Sequence, residues 1–175
     1  MLELIVDASV ALKWFSIKGE ASVEESREVW NVIQSGEIKA YAPLFMLVEV
    51  ANVLARKKKV EAIVFNNILK KLAGSKIVFV DLKKDDLREL GSLVNKYDLM
   101  AYDAQYLLLA KQLNCKLVSY DEELLKITDW VVRVKDVFGD LQGSLSLTPI
   151  GRKLDLEEII KRVEKKEARR LINGG

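Results

Sequence analysis

Histidine is absent from this chain of 175 residues. That absence removes Ser-His and Cys-His nucleophilic mechanisms, histidine general bases and imidazole metal ligands together. The single cysteine, Cys115, cannot form an internal disulfide or a thiolate metal cage, and reads as a reduced intracellular thiol between a helix and a strand. An excess of one charge is missing too: 28 Lys and Arg against 26 Asp and Glu leave a formal charge of +2. Any nucleic-acid contact is therefore expected from a local patch, not from a basic coat. No apolar run approaches membrane-spanning length, and no basic segment with a long apolar stretch opens the chain, so a cytoplasmic protein with no membrane partner is expected. The chain does have an apolar fraction of 50%, enough to bury the core of one domain. Carboxylates must carry most of any chemistry.

The apolar pattern alternates between strand and helix. Residues 2 to 6 read as a buried strand, and Val23, Val29, Val32 and Ile33 place a helix over 22 to 34. A strand at Lys39 to Tyr41 ends at Pro43, which suits the first turn of a helix running from Leu44 towards Lys57. A helix over Val60 to Leu72, a fully buried strand at Ile77 to Val80 and an amphipathic helix over Lys83 to Asn95 come next. The pattern then predicts a helix from Ala101 to Leu113, a strand at Lys116 to Ser119, a short helix at Glu122 to Lys126 and a strand at Trp130 to Val134. Continuous apolar strands separated by helices predict a parallel sheet covered on both faces. The domain is expected over 1 to 138. Glycine, Pro149, serine and threonine mark a linker over 139 to 153, and an amphipathic basic helix is expected over 154 to 175.

Four acids stand out by their apolar surroundings, where an unpaired charge is unfavourable. Asp7 comes directly after Leu4-Ile5-Val6, Asp121 after the fourth strand, Glu49 lies within Leu47-Val48-Glu49-Val50-Ala51, and Asp103 opens a helix. Taken singly, each has a structural reading. Asp7 could cap the helix after it, Asp121 could be a turn residue, Glu49 could pair with Arg56 or a neighbouring lysine, and Asp103 could be a helix-starting acid. Jointly, acids at strand ends and on adjoining helices point to a shared pocket, because ligands of parallel sheets collect at the carboxyl ends of the strands. A cluster of carboxylate oxygens without His or Cys favours Mg²⁺, with Mn²⁺ as a substitute, and such ions support phosphodiester hydrolysis. Arg56 is a candidate phosphate-binding residue, with a solvated helix-end arginine as the alternative. Trp14 is expected in the core or an interface, not as a base-stacking platform.

Four segments, in order, carry a resemblance: Ile5-Val-Asp-Ala-Ser-Val-Ala-Leu-Lys-Trp14, Val48-Glu-Val-Ala-Asn52, Tyr102-Asp-Ala-Gln-Tyr-Leu-Leu-Leu-Ala110 and Leu117-Val-Ser-Tyr-Asp121. Over roughly residues 1 to 138 the chain resembles PIN-domain ribonucleases, and VapC toxins in particular. The resemblance implies a three-layer α/β/α fold with a central parallel sheet, and a Mg²⁺-dependent endoribonuclease in which Asp7, Glu49, Asp103 and Asp121 bind the catalytic metal directly or through water. It implies supporting roles for Ser9, Asn52 and Ser119, the last in place of a frequent threonine. It further implies an RNA substrate, a homodimer and a VapB-type antitoxin. A PIN endonuclease of RNA maturation, a catalytically silent PIN module that binds RNA or protein, and a receiver-like phosphoacceptor domain are the competing expectations.

Overall fold

Five of the continuous apolar runs form one all-parallel sheet in the computed structural model, which describes residues 2–16, 22–57 and 60–137. The strands are β1 (Leu2–Val6), β2 (Ile38–Pro43), β3 (Val78–Val80), β4 (Lys116–Val118) and β5 (Val131–Val132). Their order is β3-β2-β1-β4-β5. Ile5 of the central strand lies beside Tyr41 on one side and Leu117 on the other. Ile5 and Val6 are wholly buried, because β1 is flanked by strands at both edges and covered on both faces.

The helices are α1 (Ala8–Trp14), α2 (Val23–Ser35), α3 (Phe45–Asn52), α4 (Ala62–Ala73), α5 (Leu87–Tyr97), α6 (Ala101–Leu113) and α7 (Glu122–Leu125). The chain steps from β1 through β2 to β3 in one direction, then returns to place β4 and β5 on the other side. Right-handed crossovers therefore put α1 to α4 on one face and α5 to α7 on the other. The contacts agree with this layering: α2 packs on β2, whereas α6 lies across β1, β2 and β4 and carries α5 on its outside. Ala104, Tyr106, Leu107, Leu108, Leu109 and Ala110 of α6 are all buried, which is why that helix has no narrow apolar stripe. Gly36 ends α2 at φ 87°, a left-handed conformation that favours glycine.

The alternation expected from sequence is present, with differences at its edges. Two helices, α1 and α2, lie between β1 and β2, where the apolar spacing singled out only the second. Pro43 is the last residue of β2 and not part of the next helix; the Leu44 amide donates to Val80 O at 2.9 Å. The strand expected to be fully buried at Ile77 to Val80 is instead the edge strand β3, with Val78 43% exposed, since it has a neighbour on one side only. The helix reaching towards Lys57 does so by widening into a π-helix over Val53–Lys57. Lys84–Asp86 is a 3-10 turn, with the Lys83 amide donating to Asp86 Oδ2, before α5 proper. The last strand shrinks to Val131–Val132. Trp14 is buried against Trp30, as its core reading requires. The linker expected over 139–153 and the helix expected over 154–175 lie outside the described residues. Among the described residues no helix is long and apolar enough to cross a membrane.

Candidate metal centre

The strand order reverses between β1 and β4, so the carboxyl ends of these two strands open the crevice in which doubly wound sheets bind ligands. Asp7 leaves β1 at this point, its amide donating to Val118 O of β4 at 3.1 Å. It occupies the N-cap position of α1, yet its side chain makes no cap hydrogen bond. Instead, Oδ2 accepts the Ser9 hydroxyl and, at 2.7 Å, the Ser119 hydroxyl. Each hydroxyl is fixed in turn by an amide: Tyr120 N–H donates to Ser9 Oγ at 3.0 Å, and Asp121 N–H to Ser119 Oγ at 2.9 Å. Two strand ends are thus tied through one carboxylate. Burial raises the pKa of Asp7, opposed by the Ser9 and Ser119 hydroxyls.

Glu49 enters from α3, on the opposite face of the sheet from α6, and meets Tyr106 at the sheet edge. The buried Tyr106 hydroxyl donates to Glu49 Oε2 at 2.9 Å. Desolvation drives the Glu49 pKa from 4.5 to about 7; the Tyr106 bond resists this, while the charges of Asp7, Asp103 and Asp121 add to it. Asp103, in the first turn of α6, is pushed from 3.8 to about 6 by desolvation and by the charges of Asp121 and Asp7. Asp121 caps α7, its Oδ1 accepting the Glu123 and Leu124 amides at 2.9 and 3.1 Å. Asp121, which alone could be a turn residue, is instead the N-cap of α7, and its charge reaches Glu49 and Asp103. The ion-pair reading of Glu49 does not hold: among the described residues none of the four acids is in a salt bridge, and the Glu49 bond goes to tyrosine.

The mutual repulsion of these acids is what a divalent cation would relieve, and the all-oxygen donor set suits a hard ion. Three of the acids commit one oxygen to the protein: Asp7 Oδ2, Glu49 Oε2 and Asp121 Oδ1. Their second oxygens and Asp103 supply the remaining ligand capacity. Among the described residues no three acidic side chains converge closely enough to hold an ion as they stand. Of the other expected residues, Ser9 and Ser119 are in the cluster, whereas Asn52 and Arg56 are exposed further along α3 and its π-helical end.

Sequence reasoning overlooked Tyr106. It reads as one more core residue of α6, and its partner Glu49 is 57 positions away. A usable signal was present: Tyr106 stands three residues after Asp103, the spacing that puts two side chains on one helical face.

The sequence matches the PIN domain family over residues 4–129. The chain belongs to the PIN-domain family. No curated protein matches. Solved structures similar to this PIN domain include PAE2754 from Pyrobaculum aerophilum, at 22% identity and TM-score 0.59, covering 80% of this chain and 95% of that one. Mycobacterium tuberculosis VapC20, a sarcin-ricin loop cleaving toxin, is similar at 11% identity and TM-score 0.58, covering 71% of this chain and 94% of that one. A toxin-antitoxin complex from Klebsiella pneumoniae is similar at 16% identity and TM-score 0.55, with 75% and 97% covered. At these identities the likeness is one of fold.

Proposed function

We propose that this PIN domain is a Mg²⁺-dependent endoribonuclease, with Mn²⁺ as a substitute, and the toxin of a VapBC pair. The observation that carries the reading is the gathering at the topological switch point of Asp7, Glu49, Asp103 and Asp121, with Glu49 and Asp103 shifted upward by burial and by the other acids. When bound by these acids, a divalent ion supplies a water of lowered pKa and charge stabilisation at the phosphate. The chain's own part is to hold the ligands. Ser9 and Ser119 fix Asp7, Tyr106 fixes Glu49, and the α7 amides fix Asp121. Glu49 would hold the ion as the carboxylate, the form its raised pKa disfavours at neutral pH, so metal affinity is expected to rise with pH. Arg56, exposed on the π-helical end that follows α3, is assigned to phosphate binding, and Asn52, exposed at the end of α3, to a supporting role.

The toxin assignment is supported by likeness to VapC20 and to the Klebsiella toxin-antitoxin complex. It carries with it a cytoplasmic homodimer and a VapB-type antitoxin whose basic side chain would compete with the ion for these acids. The test is cleavage of a mixed cellular RNA pool with Mg²⁺ or Mn²⁺ by wild type, Asp7→Asn and Asp103→Asn, with the cut ends mapped. Losses of about 100-fold or more are expected, and equal cleavage by all three proteins rejects the site. Expression without growth arrest would reject the toxin role and leave an RNA-maturation nuclease.

A further inference from the structure

Helices α3 and α6 approach each other at the site in two matched rungs. On one rung Tyr106 donates to Glu49. On the other, four residues earlier along each helix, the rings of Tyr102 and Phe45 stack with centroids 5.9 Å apart and planes 16° from parallel. Four residues are about one helical turn, so the aromatic pair stands one step along the same crevice from a candidate metal ligand. The pair is not a closed core contact. Tyr102 is 39% exposed, Phe45 is half-buried, and Leu44, Val48 and Met100, close to them in the chain, are exposed as well. Val48 directly precedes Glu49, and Tyr102 directly precedes Asp103.

We propose that Tyr102 and Phe45 form a stacking subsite for the nucleobase next to the scissile phosphate of a single-stranded RNA. The inference rests on the endoribonuclease reading above and adds to it the place where a base is held. A nucleotide strand presents, one backbone step apart, a planar apolar face and a phosphate that binds cations; this crevice offers an aromatic pair and an acidic cluster one helical turn apart. A base meets the rings while its own phosphate remains over the acids. An unstacked base is required, which makes the substrate single-stranded at the cut. Stacking accepts any base, so the subsite contributes affinity and register more than a sequence code.

The probes are end-labelled, single-stranded 12-nucleotide oligo-A, oligo-U and oligo-C, cleaved with Mg²⁺ by full-length wild type, Tyr102→Ala, Tyr102→Leu and Tyr102→Phe. Tyr102→Leu keeps apolar bulk without an aromatic face, and Tyr102→Phe keeps the face without the hydroxyl. The expected result is a KM raised about 5- to 100-fold for Tyr102→Ala and Tyr102→Leu, with kcat changed much less, and a KM restored by Tyr102→Phe. Thermal melting accompanies each assay so that loss of fold is not read as loss of binding. A Tyr102→Leu variant with the wild-type KM overturns the subsite in favour of simple packing. A drop in oligomeric mass for Tyr102→Leu with KM unchanged assigns the face to a second copy of the chain and also overturns it. If wild type cleaves and Asp103→Asn does not, either failure leaves the nuclease reading intact, whereas absence of cleavage by wild type of both these probes and the mixed RNA pool removes both.

Discussion

Replacing Glu49 by glutamine should stabilise this protein without metal and destabilise it, relative to wild type, with metal. The pKa of Glu49 rises from 4.5 to about 7 in the fold. An acid with a raised folded-state pKa binds its proton more tightly folded than unfolded, so stability falls as pH rises through that window. The effect is absent well below 4.5, grows between 4.5 and about 7, and is complete above that. At ~1.36 kcal/mol per pKa unit the full rise is about 3 kcal/mol. Glu49 is partly open to solvent, and screening reduces this to about 1–2 kcal/mol. Glutamine has the same shape, keeps an oxygen to accept the Tyr106 hydroxyl, and removes the charge that Asp7, Asp103 and Asp121 oppose. In EDTA at pH 8 the variant should melt about 3 to 8 °C above wild type, and the gap should narrow as the pH is lowered towards 5. With Mg²⁺ at ~100 times its Kd, wild type gains about 2.7 kcal/mol, the variant gains less, and the order of melting temperatures reverses. Differential scanning calorimetry at both pH values, with EDTA and with Mg²⁺, checks this. A variant less stable than wild type in EDTA at pH 8, or one that gains as much from Mg²⁺, would refute the reasoning.

Ser119→Ala removes the buried hydroxyl shared by Asp7 Oδ2 and the Asp121 amide, and should cost about 1–3 kcal/mol by denaturant unfolding; Ser119→Thr, which keeps the hydroxyl, should lose less, and equal losses would mean that shape and not hydrogen bonding matters there. Tyr106→Phe removes the bond that favours ionised Glu49, so the Glu49 pKa should climb further, by about one pKa unit; the pH–rate profile should shift to higher pH, with activity lost more at pH 6.5 than at pH 8.5, and an unshifted profile would exclude the linkage. Arg56→Ala should raise KM for RNA and flatten its salt dependence by about one phosphate contact, with kcat little changed, if Arg56 binds phosphate; an unaltered salt slope leaves it a solvated arginine.

The parts of this molecule legible in the sequence are those whose signal is local. Leu4-Ile5-Val6 before Asp7 and Leu117-Val118 shortly before Asp121 are apolar runs leading to an acid, and the parallel sheet places both ends at one edge. The parts that were not legible depend on neighbours distant in the chain. Nothing in Ile77 to Val80 says that β3 has a strand on one side only. The seven residues of α1 are too few for a periodic pattern to set them apart as a helix of their own. The hydrogen bonds that decide the role of each acid span 112 positions from Asp7 to Ser119 and 57 from Glu49 to Tyr106, and a serine or tyrosine in an apolar segment gives no hint of its partner.

The four acids are also unequal in a way their sequence context does not convey. Asp7 is set by the sheet itself: its backbone pairs with β4 and its carboxylate is gripped by hydroxyls from the first turn of α1 and the end of β4. Glu49 and Asp103 ride on helices from opposite faces, α3 and α6, that touch at the sheet edge through a hydrogen bond and a ring stack. A small change in how these helices meet alters the distance between Glu49 and Asp103 while leaving Asp7 in place. The aromatic rung therefore has two consequences, helix spacing and base stacking, and kinetics separates them. If Tyr102 acted mainly by spacing the helices, its loss would weaken metal binding and lower kcat. If it acts by receiving a base, its loss raises KM at saturating Mg²⁺ and leaves the metal dependence as it was.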